Sequence, residues 1–294
     1  MTKQTILVTG SSSGFGKLTV LALARRGHTV VASMRGVAGK NRAAADELRR
    51  VAETESLAVH VVELDVTSDA SVDAGVAAAL AKVGGKLDAV INNAGAGVVG
   101  LVETVTTEQV LAQFDLNVVG MHRVNRAVLP HLRAAKAGLV VHVSSGLGRI
   151  VIPQLGVYTA TKWAVEAYAE ALRYELKPTG VEAVIVQPGA FPTEFNTNGG
   201  AGADQARAAG YGPFANGLAM MGETMKRLFD VPSPPQPQEV ADAIVALVET
   251  APGKRPARVV VDRHQGDAPR ALNEAHAQVQ KGLLTGMGMP FLAD

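Results

Sequence analysis

The chain has 294 residues, which suits either one large α/β domain or two small domains, and its 47% hydrophobic and 19% charged residues exclude a disordered protein. Lys and Arg together number 28, Asp and Glu 27, and aromatic residues make up 4%, so we expect no nucleic-acid-binding surface. Because there is no Cys, disulfides, thiolate metal sites and Cys nucleophiles are excluded. The seven His residues form no HExxH pair, and we expect no metal site.

The N-terminus and the hydropathy pattern bear on location. The first apolar run, residues 6–8, is too short for a secretory signal. No uninterrupted apolar stretch reaches the ~18–20 residues that a bilayer span needs. We therefore expect a cytoplasmic protein without a membrane span.

Short β-rich runs alternate with longer helical patterns along most of the chain. In order, the pattern predicts strand 6–8, helix 14–26, strand 29–32, helix 40–53, strand 58–64, helix 68–83, strand 87–91, a helical region 107–135, strand 139–143, helix 157–177, strand 181–186, helix 237–249 and strand 258–261. Such alternation indicates parallel βαβ units, and apolar runs such as 183–186 are typical of strands buried on both faces. We predict a doubly wound, Rossmann-like parallel sheet of about seven strands, with helices on both faces, in a single domain over residues 1–294.

Local signals refine these elements. Ser68 is the expected N-cap of the helix that follows it, and Pro130 is expected to break or bend the helical region around it. Two stretches depart from the alternation. We interpret residues 195–237 as a substrate-side lid insertion, either functional or partly disordered, and residues 266–294 as a C-terminal tail without a strong pattern.

The first stretch that carries chemistry is TGSSSGFG, residues 9–16, which follows the first predicted strand and opens the first helix. Glycines let the backbone approach a diphosphate, and the free N–H groups of a helix N-terminus favour an anion. The spacing is GxxxGxG rather than GxGxxG, and an ordinary Gly- and Ser-rich turn is the alternative. The context of a strand before and a helix after favours phosphate binding. The candidate phosphate-binding residues are Gly10, Ser12, Ser13, Gly14, Phe15 and Gly16.

The end of the second strand bears on the choice of cofactor. An acidic residue there would bind a ribose 2′-hydroxyl, but the chain has Ser33, followed by Met34 and Arg35. The planar cation of Arg35 suits a phosphate. We therefore expect NADP(H) to be preferred, with NAD(H) possible; the alternative is that Arg35 is only a solvated loop charge.

Tyr158 and Lys162 are four residues apart on a predicted helix and so share one face. A free Tyr has a pKa near ~10, and lowering it to neutrality takes about 4 kcal/mol, which one unit charge at ~4 Å supplies at an effective dielectric of ~20. The pair therefore predicts a phenol made acidic by Lys162, although YxxxK alone also occurs on many surface helices. Ser145, at the end of the fifth strand, is placed to hold a substrate carbonyl, whereas the GxSxG of a hydrolase elbow is absent.

Together these motifs resemble the short-chain dehydrogenase/reductase family, in its single-domain branch. The matching residues are, in chain order, TGxxxGxG at 9–16, NNAG at 92–95, Asn117, Ser145, YxxxK at 158–162 and PGxxxT at 188–193. A weaker likeness in residues 31–35 and 117–120 is to estradiol 17β-dehydrogenase-like and retinol-dehydrogenase-like members. That likeness implies an apolar alcohol or carbonyl substrate.

The resemblance implies a role for each matching residue. Tyr158 would exchange a proton with the reacting oxygen, Lys162 would lower its pKa and bind the nicotinamide ribose, and Ser145 would orient the carbonyl. Asn117 would hold a water that links Lys162 to solvent. Beyond the glycine-rich loop and Arg35, the implied cofactor-binding residues are Asp65, Val66, Asn92, Ala94, Gly95, Tyr158, Lys162, Pro188, Gly189, Phe191 and Thr193.

The implied function is an oxidoreductase that transfers a hydride between NADP(H) and a secondary alcohol or carbonyl compound. Three alternatives stay open: an NAD(H)-dependent dehydrogenase with the same mechanism, a non-catalytic cofactor-sensing protein, and a dehydratase or epimerase on the same scaffold. The resemblance also implies a homodimer or homotetramer, formed through the two long helical regions at 109–133 and 157–177.

Overall fold

The predicted strands form one parallel sheet. The structure is a computed structural model that describes residues 2–194 and 200–292. Over those residues the strands, numbered β1 to β7 in chain order, are Thr5–Val8, Thr29–Met34, Val59–Glu63, Ala89–Asn92, Gly138–Val143, Val181–Pro188 and Arg258–Val261. Their spatial order is β3-β2-β1-β4-β5-β6-β7, and neighbouring strands are parallel. The predicted doubly wound sheet is therefore confirmed.

Helices cover both faces of this sheet. Over the described residues they are numbered α1 to α9 in chain order and comprise Gly14–Arg25, Arg42–Thr54, Asp69–Lys82, Thr107–Phe114, Gly120–Ala134, Gly156–Leu176, Gly217–Phe229, Gln238–Glu249 and Asp267–Gly286. Successive strand residues point to opposite faces, so Ile6 of β1 packs with α1, α2 and α8, whereas Leu7 packs with α3, α5 and α6. The strand order reverses between β1 and β4, and this reversal opens a crevice at the carboxyl edge of the sheet.

The helical region predicted over 107–135 is divided, but not at Pro130. After α4 the chain forms a π-helical turn over Asp115–Val119, and α5 then stays helical through Pro130. The predicted break at Pro130 is therefore wrong. The change of winding falls instead on the turn that carries Asn117, and such π turns are frequent at functional sites.

The two stretches outside the alternation are more regular than the sequence indicates. Within residues 195–237, the 3₁₀ segment Gln205–Asn216 leads into α7, while residues 195–199 lie outside the described part of the chain. Within the tail, Asp267–Gly286 form α9, a helix that the weak sequence pattern over 266–294 did not indicate. The Ser68 N-cap is confirmed, because its side chain accepts a hydrogen bond from a backbone N–H of α3.

The length and hydropathy of the helices bear on whether the chain crosses a membrane. None of the helices in residues 2–194 and 200–292 has both the length and the apolar character that crossing a lipid bilayer requires.

Candidate active site

The glycine-rich loop between β1 and α1 forms one wall of a cleft at the carboxyl edge of the sheet. Gly10 has a φ of +67° and Gly14 a φ of +52°, in the left-handed region that favours glycine. A Cβ on Gly16 would lie 2.2 Å from the Gly10 carbonyl oxygen, so a side chain there would push α1 away from the loop. Ser13 makes no side-chain cap to α1, which leaves backbone N–H groups available at the helix N-terminus. The loop therefore fits an anionic diphosphate.

Hydrogen bonds fix this loop to the loop that follows β4. Thr9 Oγ1 accepts from the backbone N–H groups of Asn93 and Ala94, both at 3.1 Å. In return, the Asn93 side-chain amide donates to the carbonyl oxygens of Thr9 at 2.9 Å and Gly10 at 3.1 Å. Two neighbouring carboxyl-end loops are thus held together as one cradle at the point where the strand order reverses.

The far end of the cleft carries positive charge beside one carboxylate. Arg35 lines it together with Lys40, Asn41 and Asp65, and the cavity volume is about 270 Å³. Burial opposes ionisation of Asp65, but hydrogen bonds from Thr67 and the charges of Arg35 and Lys40 lower its pKa overall. Sequence reasoning missed Lys40 and Asn41, although a second cation in the loop after β2 was the signal that could have pointed to this end of the cleft.

Most of the predicted cofactor-binding residues line this cleft, namely Gly10, Ser12, Ser13, Gly14, Phe15, Arg35, Asp65, Val66, Ala94, Gly95 and Thr193. Gly16 supports the loop from behind. Asn92 is placed differently: its side chain is buried and donates to Asn125 Oδ1 at 2.8 Å, so it bonds into the core. Glu194 also lines the cleft, and no motif in the sequence pointed to it.

The predicted catalytic side chains come together between α6 and the end of β5. Ser145 hydrogen-bonds to the phenol of Tyr158. The Lys162 Nζ donates to the Val143 carbonyl oxygen at 2.9 Å and lies 5.7 Å from the centroid of the Tyr158 ring. All three side chains are buried. The strand end and the helix face thus bring a hydroxyl, a phenol and an ammonium to one place.

Asn117 joins this group through the loop after β4. Its Oδ1 accepts from the Ala96 N–H at 3.0 Å, while its Nδ2 donates to the Ala96 carbonyl and to Thr161 Oγ1, both at 2.9 Å. A Cβ on Gly95 would lie 3.1 Å from Asn117 Oδ1 and 3.8 Å from Lys162 Nζ. The π turn therefore aims Asn117 at the backbone of the loop and holds that loop against α6.

Burial decides the protonation state of the Tyr158–Lys162 pair. It raises the pKa of Tyr158 to about 12, and the hydrogen bond with Ser145 offsets only part of the rise. Burial also lowers the pKa of Lys162 to about 8, against the opposing charge of Glu166. The sequence predicted a lowered Tyr158 pKa, whereas in the structure burial of the phenol raises it. At neutral pH the phenol is protonated and can donate its proton.

A second cavity, with a volume of about 330 Å³, opens beside Tyr158 and Ser145. Phe15 and Thr193 line both this cavity and the cleft, so the two adjoin. The predicted cofactor-binding residues Pro188, Gly189 and Phe191 line this second cavity. The Phe191 ring packs edge-on against the Phe15 ring, with centroids 5.5 Å apart. The remaining apolar lining comes from Leu147, Ile150, Ile152, Leu155, Ala190, Met225, Leu228 and Pro269.

Comparison with known proteins assigns the family. Residues 4–203 match the family model described as short chain dehydrogenase. This chain belongs to the short-chain dehydrogenase/reductase family. It is therefore an oxidoreductase that acts on CH–OH or C=O groups with a nicotinamide dinucleotide, which confirms the resemblance read from the motifs.

Individual relatives of this short-chain dehydrogenase/reductase differ in their named activities. It is 38% identical over 198 residues to a 3-ketodihydrosphingosine reductase of Bacteroides thetaiotaomicron, a match that covers 67% of this chain and 68% of the relative. It is 34% identical over 195 residues to human retinol dehydrogenase 8, covering 65% and 60% of the two chains. A crystal structure of a variant actinorhodin polyketide ketoreductase with NADPH superposes with a TM-score of 0.74 at 25% identity, covering 90% of this chain and 98% of that one.

Replacing Gly16 with Ala should weaken cofactor binding and destabilise the protein. The new methyl group would meet the Gly10 carbonyl oxygen, so the loop or α1 must shift, with a stability loss of about 1–3 kcal/mol. Fluorescence titration with NADPH and urea unfolding measure the two effects. Gly282→Ala, in α9, is the matched control, since its Cβ would meet nothing within 4 Å. Unchanged cofactor affinity in Gly16→Ala would contradict the assignment of the glycine-rich loop as the diphosphate-binding site.

Proposed function

We propose that this enzyme interconverts a secondary alcohol and a carbonyl compound, prefers NADP(H), and uses Tyr158 as its acid and base. The observation that carries the proposal is the position of the Tyr158 phenol. It hydrogen-bonds to Ser145 and borders an apolar cavity that adjoins the dinucleotide cleft. A carbonyl group in that cavity would lie next to a proton donor on one side and next to the cofactor site on the other.

Each polar residue has a distinct part in this reaction. In the reducing direction, Tyr158 gives its proton to the carbonyl oxygen while Ser145 holds that oxygen by a hydrogen bond. The positive charge of Lys162 stabilises the phenolate that remains, and Asn117 keeps the Gly95–Ala96 backbone in place beside the ammonium. The hydride would come from a nicotinamide held in the adjoining cleft. In the oxidising direction the phenolate takes the proton back from the alcohol.

The fit of the cleft to a dinucleotide rests on its backbone and its charge. The close approach of Gly16 to Gly10 and the uncapped start of α1 suit a diphosphate. Arg35 and Lys40 line the same cleft beside Asp65, and no residue of the loop after β2 that lines it is acidic. A ribose 2′-phosphate fits this charge better than a free 2′-hydroxyl does.

Replacing Arg35 with Ala should weaken NADP(H) binding about 10- to 100-fold and change NAD(H) binding little. The reason is that a charge-assisted contact to a phosphate contributes about 1.5–3 kcal/mol. Dissociation constants for both cofactors, measured by fluorescence titration, test this. Arg42→Ala is the control, because Arg42 pairs with Asp46 and lies outside the cleft. Equal losses for the two cofactors in Arg35→Ala would refute the assignment of the 2′-phosphate.

An apolar substrate is proposed from the lining of the second cavity. Apart from Ser145 and Tyr158 at the reacting end, most of its walls are aliphatic or aromatic side chains. The relatives named as a 3-ketodihydrosphingosine reductase and a retinol dehydrogenase are consistent with such a substrate. A panel of ketones and secondary alcohols of increasing chain length, assayed through the absorbance of reduced nicotinamide, tests the proposal. Preference for short, polar compounds would oppose it.

Assembly, location and the role of the insertion complete the proposal. We propose a cytoplasmic homodimer or homotetramer that associates through α4, α5 and α6. The exposed apolar side chains Leu111 of α4 and Trp163 of α6, which are 65% and 46% exposed, support that surface. The segment 195–237 is proposed as a substrate-side lid, because Thr224, Met225 and Leu228 of α7 line the apolar cavity.

A further inference from the structure

The C-terminal helix α9 forms part of the substrate cavity. Pro269, in its first turn, is buried and lines that cavity together with Gln265, which precedes the helix. A Cβ on Gly146 would lie 3.9 Å from Pro269 Cγ, so the first turn of α9 packs against the residue that follows Ser145. Whatever fixes α9 in place therefore also fixes one wall beside the reacting groups.

One polar side chain of α9 connects this helix to the neighbouring loop and strand. Asn273 lies one turn after Pro269 and is half-buried. Its Nδ2 donates to Gln187 Oε1 at 2.6 Å, and its Oδ1 accepts from Arg149 Nε at 2.8 Å. Arg149 belongs to the loop after β5, whose Leu147 lines the cavity. A single amide thus links α9 to this loop and to the end of β6.

The connection continues to the catalytic helix. Gln187 is fully buried, and its Nε2 donates to Glu166 Oε1 at 2.9 Å. Glu166 is buried one helical turn after Lys162, and Arg258 Nε donates to its Oε2 at 2.9 Å. A buried polar group that loses its hydrogen-bond partner destabilises the folded protein. These hydrogen bonds therefore fix the relative positions of α9, the end of β6 and α6.

We propose that Asn273 is a positioning residue that holds the substrate cavity in its binding shape, and so sets the affinity for the substrate's apolar part. The inference rests on the proposed function, since it concerns the same cavity. Asn273 touches neither the reacting groups nor the cofactor cleft, and it acts through Arg149 and Gln187. Its loss therefore affects substrate binding more than the chemical step.

Asn273→Leu removes the hydrogen bonds to Arg149 and Gln187 while keeping the number and branching of the side-chain heavy atoms. We expect the KM of a turned-over ketone to rise about 10-fold, with kcat and the Kd of NADPH changed less than about 3-fold. Hydrogen exchange of the backbone amides at residues 146–152 should become faster, which is a readout independent of turnover. An unchanged KM together with unchanged exchange at 146–152 would overturn the proposal.

A second variant separates positioning from a general loosening of α9. His276 lies on the same helix, one turn further on, and its Nε2 contacts Glu170 Oε2 at 2.8 Å. His276→Gln disturbs the attachment of α9 without touching Arg149 or Gln187, so KM should stay at the wild-type value. An equal rise of KM in His276→Gln would show that Asn273 has only a structural role.

A double-mutant cycle with Gln187→Met tests whether Asn273 acts through Gln187. If Asn273 acts through Gln187, then Asn273→Leu should raise KM far less in the Gln187→Met background than in the wild type. Fully additive effects would overturn that route. Failure of the proposed function is recognised separately, because the wild-type enzyme would then turn over no ketone or alcohol, while the exchange rates at 146–152 still respond to Asn273→Leu.

Discussion

Replacing Tyr158 with Phe is expected to lower kcat about 10²- to 10⁴-fold, the usual contribution of a positioned general acid. The substitution removes only the hydroxyl, and the ring keeps its place in the wall of the substrate cavity. Tyr158 does not line the dinucleotide cleft, so the Kd of NADPH should stay within about 2-fold of the wild-type value. Steady-state rates with a turned-over ketone and cofactor fluorescence titration measure the two quantities.

The same chemical change further along α6 provides the control. Tyr174 lies on this helix and its hydroxyl donates to Glu170 Oε1 at 2.7 Å, away from the reacting groups. Tyr174→Phe should therefore retain wild-type kcat. Near-wild-type turnover in Tyr158→Phe would remove this phenol from the mechanism.

The Tyr158 result also separates the enzyme from a cofactor-sensing protein. A sensor binds NADP(H) and shows no steady-state turnover, so Tyr158→Phe would change none of its measured properties. An enzyme loses turnover in the variant while keeping its cofactor. The two measurements together therefore distinguish the alternatives, whereas cofactor binding alone does not.

The sequence predicted the parts of the site that follow directly from strand ends. In a parallel sheet the carboxyl ends meet at one edge, so the loops after β1, β4 and β5 had to converge. The structure places Gly10, Gly95 and Ser145 in those loops accordingly. The order of the motifs along the chain is sufficient to predict where such residues lie, because the parallel sheet brings the loops at its carboxyl edge together.

Helix α9 shows why other parts could not be predicted. Its apolar residues Leu272 and Val279 are 45% and 72% exposed, whereas the polar Asn273 and His276 face the protein and bond to buried partners. Exposed apolar residues on one face and polar residues on the other weaken the usual amphipathic pattern, so hydropathy gives little sign of which face packs on the core. The hydrogen bonds to Gln187 and Glu170, together with the buried Pro269 and Leu284, show which face is inward.

The Tyr158 pKa was mispredicted for a related reason. Sequence spacing places Lys162 on the same helical face as Tyr158, but it does not reveal how much solvent both groups lose. In the structure, burial of the phenol raises the pKa of Tyr158, and the hydrogen bond with Ser145 offsets only part of that rise. The proton therefore stays on the phenol until a substrate oxygen is there to receive it.

Replacing Lys162 with Met is expected to lower kcat and to make the protein more stable at neutral pH. Without the ammonium, nothing on α6 stabilises the phenolate of Tyr158, so we expect a loss of about 10²-fold or more. The same ammonium is buried at a cost, since its pKa falls from 10.5 to about 8, which corresponds to about 3 kcal/mol. Methionine removes that cost but leaves the Val143 carbonyl without its donor, which offsets about 1 kcal/mol.

The contribution of Lys162 to the stability of the folded protein depends on pH. Because the folded-state pKa of Lys162 lies below its unfolded value, the folded state binds fewer protons between about pH 8 and pH 10.5. The contribution of Lys162 is therefore fully destabilising below pH 8, and this destabilisation is relieved as the pH rises through that window. Urea unfolding of the wild type and of Lys162→Met at pH 7 and pH 10 should show the advantage of the variant shrinking. Lys162→Arg, which stays charged throughout, should show no such relief. If the difference in free energy of unfolding between the wild type and Lys162→Met stays the same at both pH values, Lys162 is not buried as a charge.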